Sequence, residues 1–340
     1  MRFITIIAYL FFATGILLAQ FPTDSVAIEL NDSASVNLQL NGNSLEKPSE
    51  EEAILSQTAP KLYPNWTFYV PGGTHFYDKR IAEGIVFSSL AVGGITYGLI
   101  NSDRFGRENS SPYSNFPLLI GLQAYSVDKV DFFRNRMEYI QYNNPDFRYD
   151  PIQYNDLLLA PFQPKNFFTP ITGAFVAIAV AELFLLGPKP NRYFGQVEQM
   201  MVMNRYVNPN HALALYGGVS LAASFGAGVS EEYVFRNAVM PMLDYKYGQR
   251  KGLIYSSLIF GGAHLTNLMM SKKPDYAATF TQVAVTSVMG YLFGYDVQKR
   301  GYDIGPAVAA HMWYDFVLML GSFIVNPQNN FLGVSVSFKM

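Results

Sequence analysis

The feature that most constrains the fold is a series of apolar runs that reach helical length and contain few charged residues. Half of the sequence is hydrophobic and only 15% of it is charged. In a bilayer every backbone polar group must be satisfied within the spanning element, and an α-helix does this over about 20 apolar residues. The sequence therefore predicts an all-α fold, a polytopic transmembrane helical bundle with a small polar N-terminal extension. The predicted spans are 81–100, 170–186, a third that begins near His211, 252–270, 277–295 and 304–325.

These spans divide the chain into five predicted parts. Residues 1–20 are a signal peptide or an uncleaved anchor, because one Arg precedes an uncharged apolar run. Residues 21–80 form a polar and interfacial N-terminal segment, and residues 81–169 hold the first membrane span with further interfacial segments. Residues 170–325 are the core of the membrane bundle, and residues 326–340 are the C-terminal tail.

The N-terminus and the lack of cysteine indicate an integral membrane protein of a bacterial envelope, in its inner membrane. The chain from residue 21 onward is then expected to begin outside the cytoplasm. Aromatic residues are dense at 61–80, as is common where a protein meets the bilayer surface. We therefore expect His75 to be an interfacial residue.

The composition also excludes several functions. A net charge of −2 gives no basic footprint, so a nucleic-acid partner is not expected. With no cysteine there is no disulfide framework, thiol nucleophile or cysteine-based metal site. The expected partners are the lipid bilayer and a protein or peptide substrate, and nothing in the sequence indicates an oligomeric state.

Two adjacent glutamates lie inside the apolar stretch 226–243. Burying a charge there costs several kcal/mol unless the charge is paired, so such groups usually serve a function. On a helix, Glu232 and Arg236 lie four residues apart on one face and can neutralise each other. Glu231 is rotated by about 100° and has no partner inside the stretch. The pattern predicts a structural role for Glu232 and leaves Glu231 available for chemistry.

The same stretch raises a question of length. A continuous helix from residue 211 to residue 243 would measure about 50 Å, which is too long for a simple crossing. Gly226, Gly228 and Pro241 are the residues that tolerate or cause an interruption. The sequence therefore predicts a break or a re-entrant element around the glutamates.

The last spans contain few other ionisable groups. His264 stands alone in an apolar run, whereas His311 and Asp315 are one helical turn apart and share a face. A single histidine on an apolar face is usually a packing residue. Together with Glu231, however, these groups lie on three different spans, and each could be satisfied by the others only if the spans converge. We therefore predict a shared functional site.

The order and spacing of these residues resemble the CPBP family of intramembrane proteases, which is related to the CAAX prenyl endopeptidases and to bacteriocin-processing proteins. The resemblance covers about residues 170–325 and rests on three motifs within apolar spans: Glu231-Glu232-x-x-x-Arg236, Phe260-x-x-x-His264 and His311-x-x-x-Asp315. It implies a multi-helix peptidase core with its site in an intramembrane cavity.

The resemblance also implies roles for these residues. Glu231 and His264 would activate the attacking water, while His311 and Asp315 would stabilise the oxyanion. Glu232 and Arg236 would brace the site. Asp315 departs from the commoner pattern, which has Asn there, and an ionised Asp cannot donate a hydrogen bond to an oxyanion. Asp315 is then protonated, orients His311, or belongs to a metal site.

Several alternatives stay open at this point. Glu231, His264 and His311 could instead ligate zinc and leave one position for water. The chain has no His-Glu-x-x-His motif, so a mechanism without a cofactor is favoured. A non-proteolytic membrane protein that binds a partner could keep the same fold. A proton-coupled transporter would also use intramembrane Glu, His and Asp, but the sequence shows no clear internal repeat.

Overall fold

A computed structural model describes residues 60–101, 115–185, 194, 197–202, 205–266, 268, 275–327 and 337–338. The predicted signal peptide or anchor and the polar segment as far as residue 59 lie outside these residues. The chain from Pro60 onward forms one unit.

The described residues are almost entirely helical, which confirms the predicted all-α fold. The helices are α1 (Trp66–Tyr69), α2 (Gly73–Tyr77), α3 (Ile81–Asn101), α4 (Asn115–Asp128), α5 (Val130–Asn143), α6 (Tyr154–Leu159), α7 (Pro164–Phe167), α8 (Pro170–Leu185), α9 (Pro209–Glu232), α10 (Met240–Tyr247), α11 (Gln249–Ala263), α12 (Tyr276–Lys299) and α13 (Gly305–Val325). Short 3-10 helices occupy Ala160–Phe162 and His264–Thr266, and a π-helical segment occupies Tyr233–Val239.

Three of the described helical stretches are long and apolar enough to cross a membrane: Ile81–Gly98, Pro209–Tyr247 and Gly305–Val325. They correspond to the first, third and last predicted spans. Helix α8 is apolar but shorter. The predicted spans 252–270 and 277–295 correspond to α11 and α12, which are not among the three.

The predicted break in the helix around the glutamates is wrong, because the helix continues through this region. Residues Pro209–Tyr247 make one helical stretch, in which α9 passes through the π-helical segment into α10. A π-helical turn holds more residues than an α-helical turn, so it changes the direction of later side chains without breaking the rod. Pro241 lies directly after the π-helical segment, near the start of α10, and the helical stretch continues through it.

The bundle is organised around α13, which packs against α8 on one side and α9 on the other. Helices α10, α11 and α12 pack in sequence next to this group, and the α3–α4 hairpin joins it through α4 and α9. The α9–α13 contact is closest at Gly228, where an added Cβ would lie 2.9 Å from the Met312 backbone nitrogen and 3.0 Å from the Val308 carbonyl oxygen. This glycine lets the two helices approach closely just before Glu231.

A small antiparallel sheet lies beside the bundle. Strand β1 (Met200–Val202) pairs with β2 (Arg205–Val207) and with β3 (Ser337–Phe338). Met200 is buried against Tyr216 and Phe323, so it serves packing.

His75 does not occupy the predicted interfacial position. Its side chain is fully buried in an ionic cluster that joins α2, α3, α4 and α5. His75 Nε2 lies 3.3 Å from Asp128 Oδ1, and Nδ1 lies 3.6 Å from Glu83 Oε2. The neighbouring carboxylate of Asp131 pairs with Arg80. The interfacial interpretation failed because sequence pattern alone did not show that α4 and α5 would cover the aromatic segment.

The adjacent Lys129 ties the same region together. This buried side chain donates to the carbonyl oxygens of Thr67 (3.0 Å) and Val70 (2.6 Å) and to Asp128 Oδ2 (2.6 Å). All three ammonium hydrogens therefore have an acceptor, which makes burial of the charge tolerable. Lys129 fastens the end of α1 to the junction of α4 and α5.

Candidate functional site

The two adjacent glutamates, Glu231 and Glu232, lie at the junction between α9 and the π-helical segment. Glu232 is the last residue of α9, and Tyr233 begins the wider turns. Isolated π-helical turns inside α-helices are frequent at functional sites, because they re-aim side chains that an α-helix would stack in register. The junction here separates Glu232 from Arg236, which lies inside the segment.

Glu232 and Arg236 form the pair that their spacing predicts. Arg236 Nε lies 3.1 Å from Glu232 Oε2, and both side chains are almost fully buried. The guanidinium stacks over Phe260, with Cζ 4.0 Å from the ring centroid, and lies 5.5 Å from the centroid of Phe293. Within the described part of the chain its two terminal nitrogens have no hydrogen-bond partner. The charge is therefore stabilised by one carboxylate and two aromatic faces.

His311 lies between two carboxylates. Its Nδ1 is 2.7 Å from Glu232 Oε1, and its Nε2 is 3.5 Å from Asp315 Oδ2. Phe293 stacks on the ring, with centroids 5.7 Å apart. Because a carboxylate accepts and does not donate, each ring nitrogen faces a group that favours an N–H. This geometry supports the interpretation in which Asp315 orients His311.

His264 is held by its own helix. Its Nδ1 lies 3.1 Å from the carbonyl oxygen of Phe260, one turn earlier, and the 3-10 helix begins at this histidine. A carbonyl oxygen only accepts, so Nδ1 carries the hydrogen. In the neutral ring Nε2 then has a lone pair, which can accept a proton or a hydrogen bond from water.

Glu231 differs from its neighbour. Its side chain is partly buried, and it forms neither a hydrogen bond nor an ion pair with the rest of the described chain. Its carboxyl lies within electrostatic range of His311, His264, Asp315 and Glu232. The structure thus brings the predicted residues of three helices around one unpaired carboxylate, while their catalytic roles stay predictions.

The residues do not fit a zinc site as they stand. Among the described residues no group of three or more His, Asp or Glu side chains is arranged to hold a metal ion. His311 directs one ring nitrogen to Glu232 and the other towards Asp315. His264 would fit such a site, because Nδ1 faces a carbonyl oxygen and a metal-ligating histidine uses only its other ring nitrogen. A Glu231, His264 and His311 shell would require His311 to give up one of these contacts.

Three supporting residues of the site were not predicted. Phe293 covers both Arg236 and His311 from α12. Gln123 on α4 accepts a hydrogen bond from the Ser230 hydroxyl at 3.3 Å, next to Glu231. Phe293 and Gln123 are not ionisable and belong to none of the three motifs, so nothing in the sequence marks them as site residues. Asn237 could have been noticed as a polar residue in the apolar stretch that follows Arg236.

The comparison with protein families matches part of the chain. Residues 214–317 match the family model described as type II CAAX prenyl endopeptidase Rce1-like. The match begins inside α9, ends inside α13 and includes all six predicted site residues. Neither the curated proteins nor the solved structures include a match to this chain. With three described helical stretches of membrane length, the chain is an integral membrane protein, and its residues 214–317 are similar to a family of CPBP-type prenyl endopeptidases.

Proposed function

We propose that this chain is an intramembrane endopeptidase that hydrolyses a peptide bond of a protein or peptide substrate, with water activated by Glu231 and His264. The observation that carries the proposal is that the Glu231 carboxyl is unpaired among the described residues and lies within electrostatic range of His264 and His311, while Glu232 is engaged by Arg236 and His311. The matched family is a family of endopeptidases. We further propose that the protein resides in the inner membrane of a bacterial envelope, with its N-terminal segment outside the cytoplasm.

In this mechanism Glu231 is the general base and His264 the second acceptor. A water that donates one hydrogen bond to Glu231 and the other to His264 Nε2 presents its oxygen lone pair to the substrate carbonyl. Glu231 takes one proton from the water as the oxygen attacks the carbonyl carbon. The carbonyl π electrons move to its oxygen and give a tetrahedral oxyanion.

His311 is the oxyanion donor in this scheme. Glu232 anchors Nδ1 at 2.7 Å, so the imidazole is already oriented and its Nε2–H can donate to an oxyanion without reorientation of the ring. The longer 3.5 Å contact with Asp315 leaves that N–H incompletely engaged. Collapse of the intermediate breaks the C–N bond, and Glu231 returns its proton to the leaving amine. No cofactor is required in this scheme.

The test is cleavage of a membrane-peptide library by purified protein in lipid vesicles. Wild type is compared with Glu231→Gln, each with and without a strong chelator. Removing the general base is expected to lower the cleavage rate by about 10²–10⁴-fold. The matched control is Glu182→Gln, which changes another carboxylate on an apolar helix. In the wild type Glu182 Oε2 accepts a hydrogen bond from the Tyr314 hydroxyl at 2.9 Å, and the amide oxygen of Gln can still accept it.

The outcomes separate the alternatives. Cleavage that survives chelation, vanishes in Glu231→Gln and persists in Glu182→Gln supports the glutamate mechanism. Loss of cleavage with the chelator and recovery with zinc would assign Glu231, His264 and His311 to a metal shell. A folded wild-type protein that cleaves no library member would contradict the proposal and favour a binding or transport function.

A further inference from the structure

The segment between α5 and α6 contacts both halves of the site, although it lies outside the family match at 214–317. Phe147 and Tyr149 of this segment are buried, and the Phe147 ring packs on Tyr245 of α10 at 5.9 Å. Tyr245 also donates a hydrogen bond to Asn144 Oδ1 at 3.1 Å. The segment is thus fixed to the helix that follows the glutamates.

Asn237 makes the central contact with this segment. Its side chain is fully buried in the π-helical segment, five residues after Glu232. The Asn237 amide accepts from the Asp150 backbone N–H at 2.7 Å and donates to the Asp150 backbone oxygen at 2.8 Å. This pair of hydrogen bonds reproduces a backbone-to-backbone pairing and fixes both position and orientation.

The side chain of Asp150 reaches the other half of the site. Asp150 Oδ2 accepts from the backbone N–H of Ile304 at 3.0 Å, at the position that precedes α13. The first N–H groups of a helix have no partner inside it, and a carboxylate there is favourable for both hydrogen bonding and the helix dipole. Asp303 Oδ1 accepts from Gly305 N–H at 2.9 Å and completes the cap.

We propose that Asp150 and Asn237 are positioning residues, which together hold the helix that carries Glu231 and Glu232 in register with the helix that carries His311. The two helices also meet at Gly228, before the glutamates. The Asp150 contacts are made after the glutamates, so the Glu232–His311 hydrogen bond lies between two fixed points. His311 is seven residues beyond Ile304, or about 10 Å along α13, so a small tilt at the cap displaces its ring.

The effect on turnover rests on the proposed function, whereas the effect on geometry does not. Misplacement of reacting groups by about 1 Å can cost about 100-fold in rate. Loss of the Asp150 contacts is therefore expected to lower kcat by about 10- to 100-fold with KM unchanged, because no substrate contact is removed.

The experiment reads the Glu232–His311 hydrogen bond directly. The chain has four histidines, so ring 15N-histidine labelling gives few resonances, and the one lost in His311→Gln is assigned to His311. A charge-assisted N–H···O bond at 2.7 Å gives a far-downfield Nδ1–H proton. The variants are Asp150→Ala, Asp150→Asn, which keeps an oxygen for Ile304, and Asp146→Ala, a control that removes an exposed carboxylate of the same segment.

The proposal expects the downfield resonance in wild type, Asp150→Asn and Asp146→Ala, and its loss in Asp150→Ala. Where a library peptide is cleaved, kcat follows the same order. If Asp150→Ala does not fold, Asn237→Ser, which can keep one of the two hydrogen bonds, is expected to weaken the resonance. A resonance unchanged in a folded Asp150→Ala, or in Asn237→Ser, overturns the proposal even if the protein is a peptidase. Its absence from wild type does so as well.

Discussion

Glu231 and Glu232 are adjacent in the sequence, but their carboxylates have different surroundings. Glu232 is fully buried and contacts Arg236 and His311. Glu231 is partly buried and makes no ion pair with any described residue. The first arrangement resembles a structural ion pair, and the second leaves a carboxylate free to move a proton. Substitution of each should therefore affect different measurements.

Glu232→Gln is expected to destabilise the protein more than Glu231→Gln. Removing one partner of a buried pair leaves the Arg236 charge uncompensated, which costs about 3–5 kcal/mol. Glu231→Gln removes no partner and should leave the free energy of unfolding nearly unchanged. Denaturant unfolding of both variants in the same detergent checks this expectation. The double change Glu232→Gln with Arg236→Met should recover part of the loss, and equal stability of the two single variants would contradict the assignment.

Asp315→Asn is expected to retain peptidase activity within about tenfold, as long as Glu231 performs the chemistry. The amide oxygen can still accept from His311 Nε2, and the amide N–H can donate to an oxyanion, which an ionised Asp cannot. Asp315→Leu removes both functions and should lower kcat by about 10²-fold or more. Steady-state rates of the two variants are the measurement. Comparable activity of the Leu variant would show that position 315 does not orient His311.

At the scale of elements, the π-helical segment explains how one long rod serves two purposes. The α-helical first part of the rod, α9, makes the close contact with α13 at Gly228. The π-helical part of the rod directs Arg236 towards the ring of Phe260 and Asn237 towards the segment before α6. A regular α-helix of the same sequence would aim these residues elsewhere, because each π-helical turn adds about one residue.

Gly228→Ala tests the α9–α13 contact. A Cβ would lie 2.9 Å from both the backbone nitrogen and the Cβ of Met312, so one helix must shift. Overpacking of this kind typically costs about 1–3 kcal/mol, and the shift should lengthen the Glu232–His311 contact and slow cleavage. Gly218→Ala on the same helix is the control, because its Cβ would meet no atom within 4 Å. Thermal unfolding and cleavage rates of both variants are compared, and equal behaviour would refute the close-contact argument.

At the scale of the whole molecule, the periodicity of the sequence predicted the features that depend on one helix at a time. The apolar runs predicted the all-α fold and most helix positions, because membrane-length helices are specified by their own residues. The four-residue spacing predicted the Glu232–Arg236 pair for the same reason. The motif resemblance also located the stretch that the family model matches.

Contacts between distant segments could not be predicted in this way. The His311–Glu232 hydrogen bond joins residues far apart in the chain, and nothing in the local pattern favours Glu232 over Glu231 as its acceptor. The continuous helix was missed because glycine and proline indicate an interruption but do not distinguish a break from a π-helical turn. His75 was misplaced because its partners on α4 and α5 come more than fifty residues later.

The buried cluster around His75 predicts how stability depends on pH. Burial lowers the pKa of His75, and the nearby Arg80 charge lowers it further, while Asp128, Asp131 and Glu83 partly offset both effects. In the unfolded chain histidine titrates near pH about 6.5. As the pH falls through that value, the unfolded chain takes up a proton that folded His75 resists, so the free energy of unfolding decreases.

Thermal unfolding at about pH 7.5 and about pH 5.5, on either side of the ordinary histidine pKa, measures this dependence. His75→Gln should reduce the difference between the two melting temperatures, because the titrating group is gone. His211→Gln removes an exposed histidine at the start of α9 and should leave the difference as in wild type. An unaltered difference in His75→Gln would exclude His75 as its source.

The contacts of Gln123 and Asp150 have a consequence for engineering. Both residues precede the matched segment 214–317, yet Gln123 packs against Gly226 and Ser230, and Asp150 caps α13. A fragment limited to residues 214–317 would keep every motif residue but lose the side chains of Gln123 and Asp150 that position them. Grafting that segment into another membrane protein should therefore transfer the signature without the activity. The smallest transplantable unit of this chain is expected to begin upstream of Gln123.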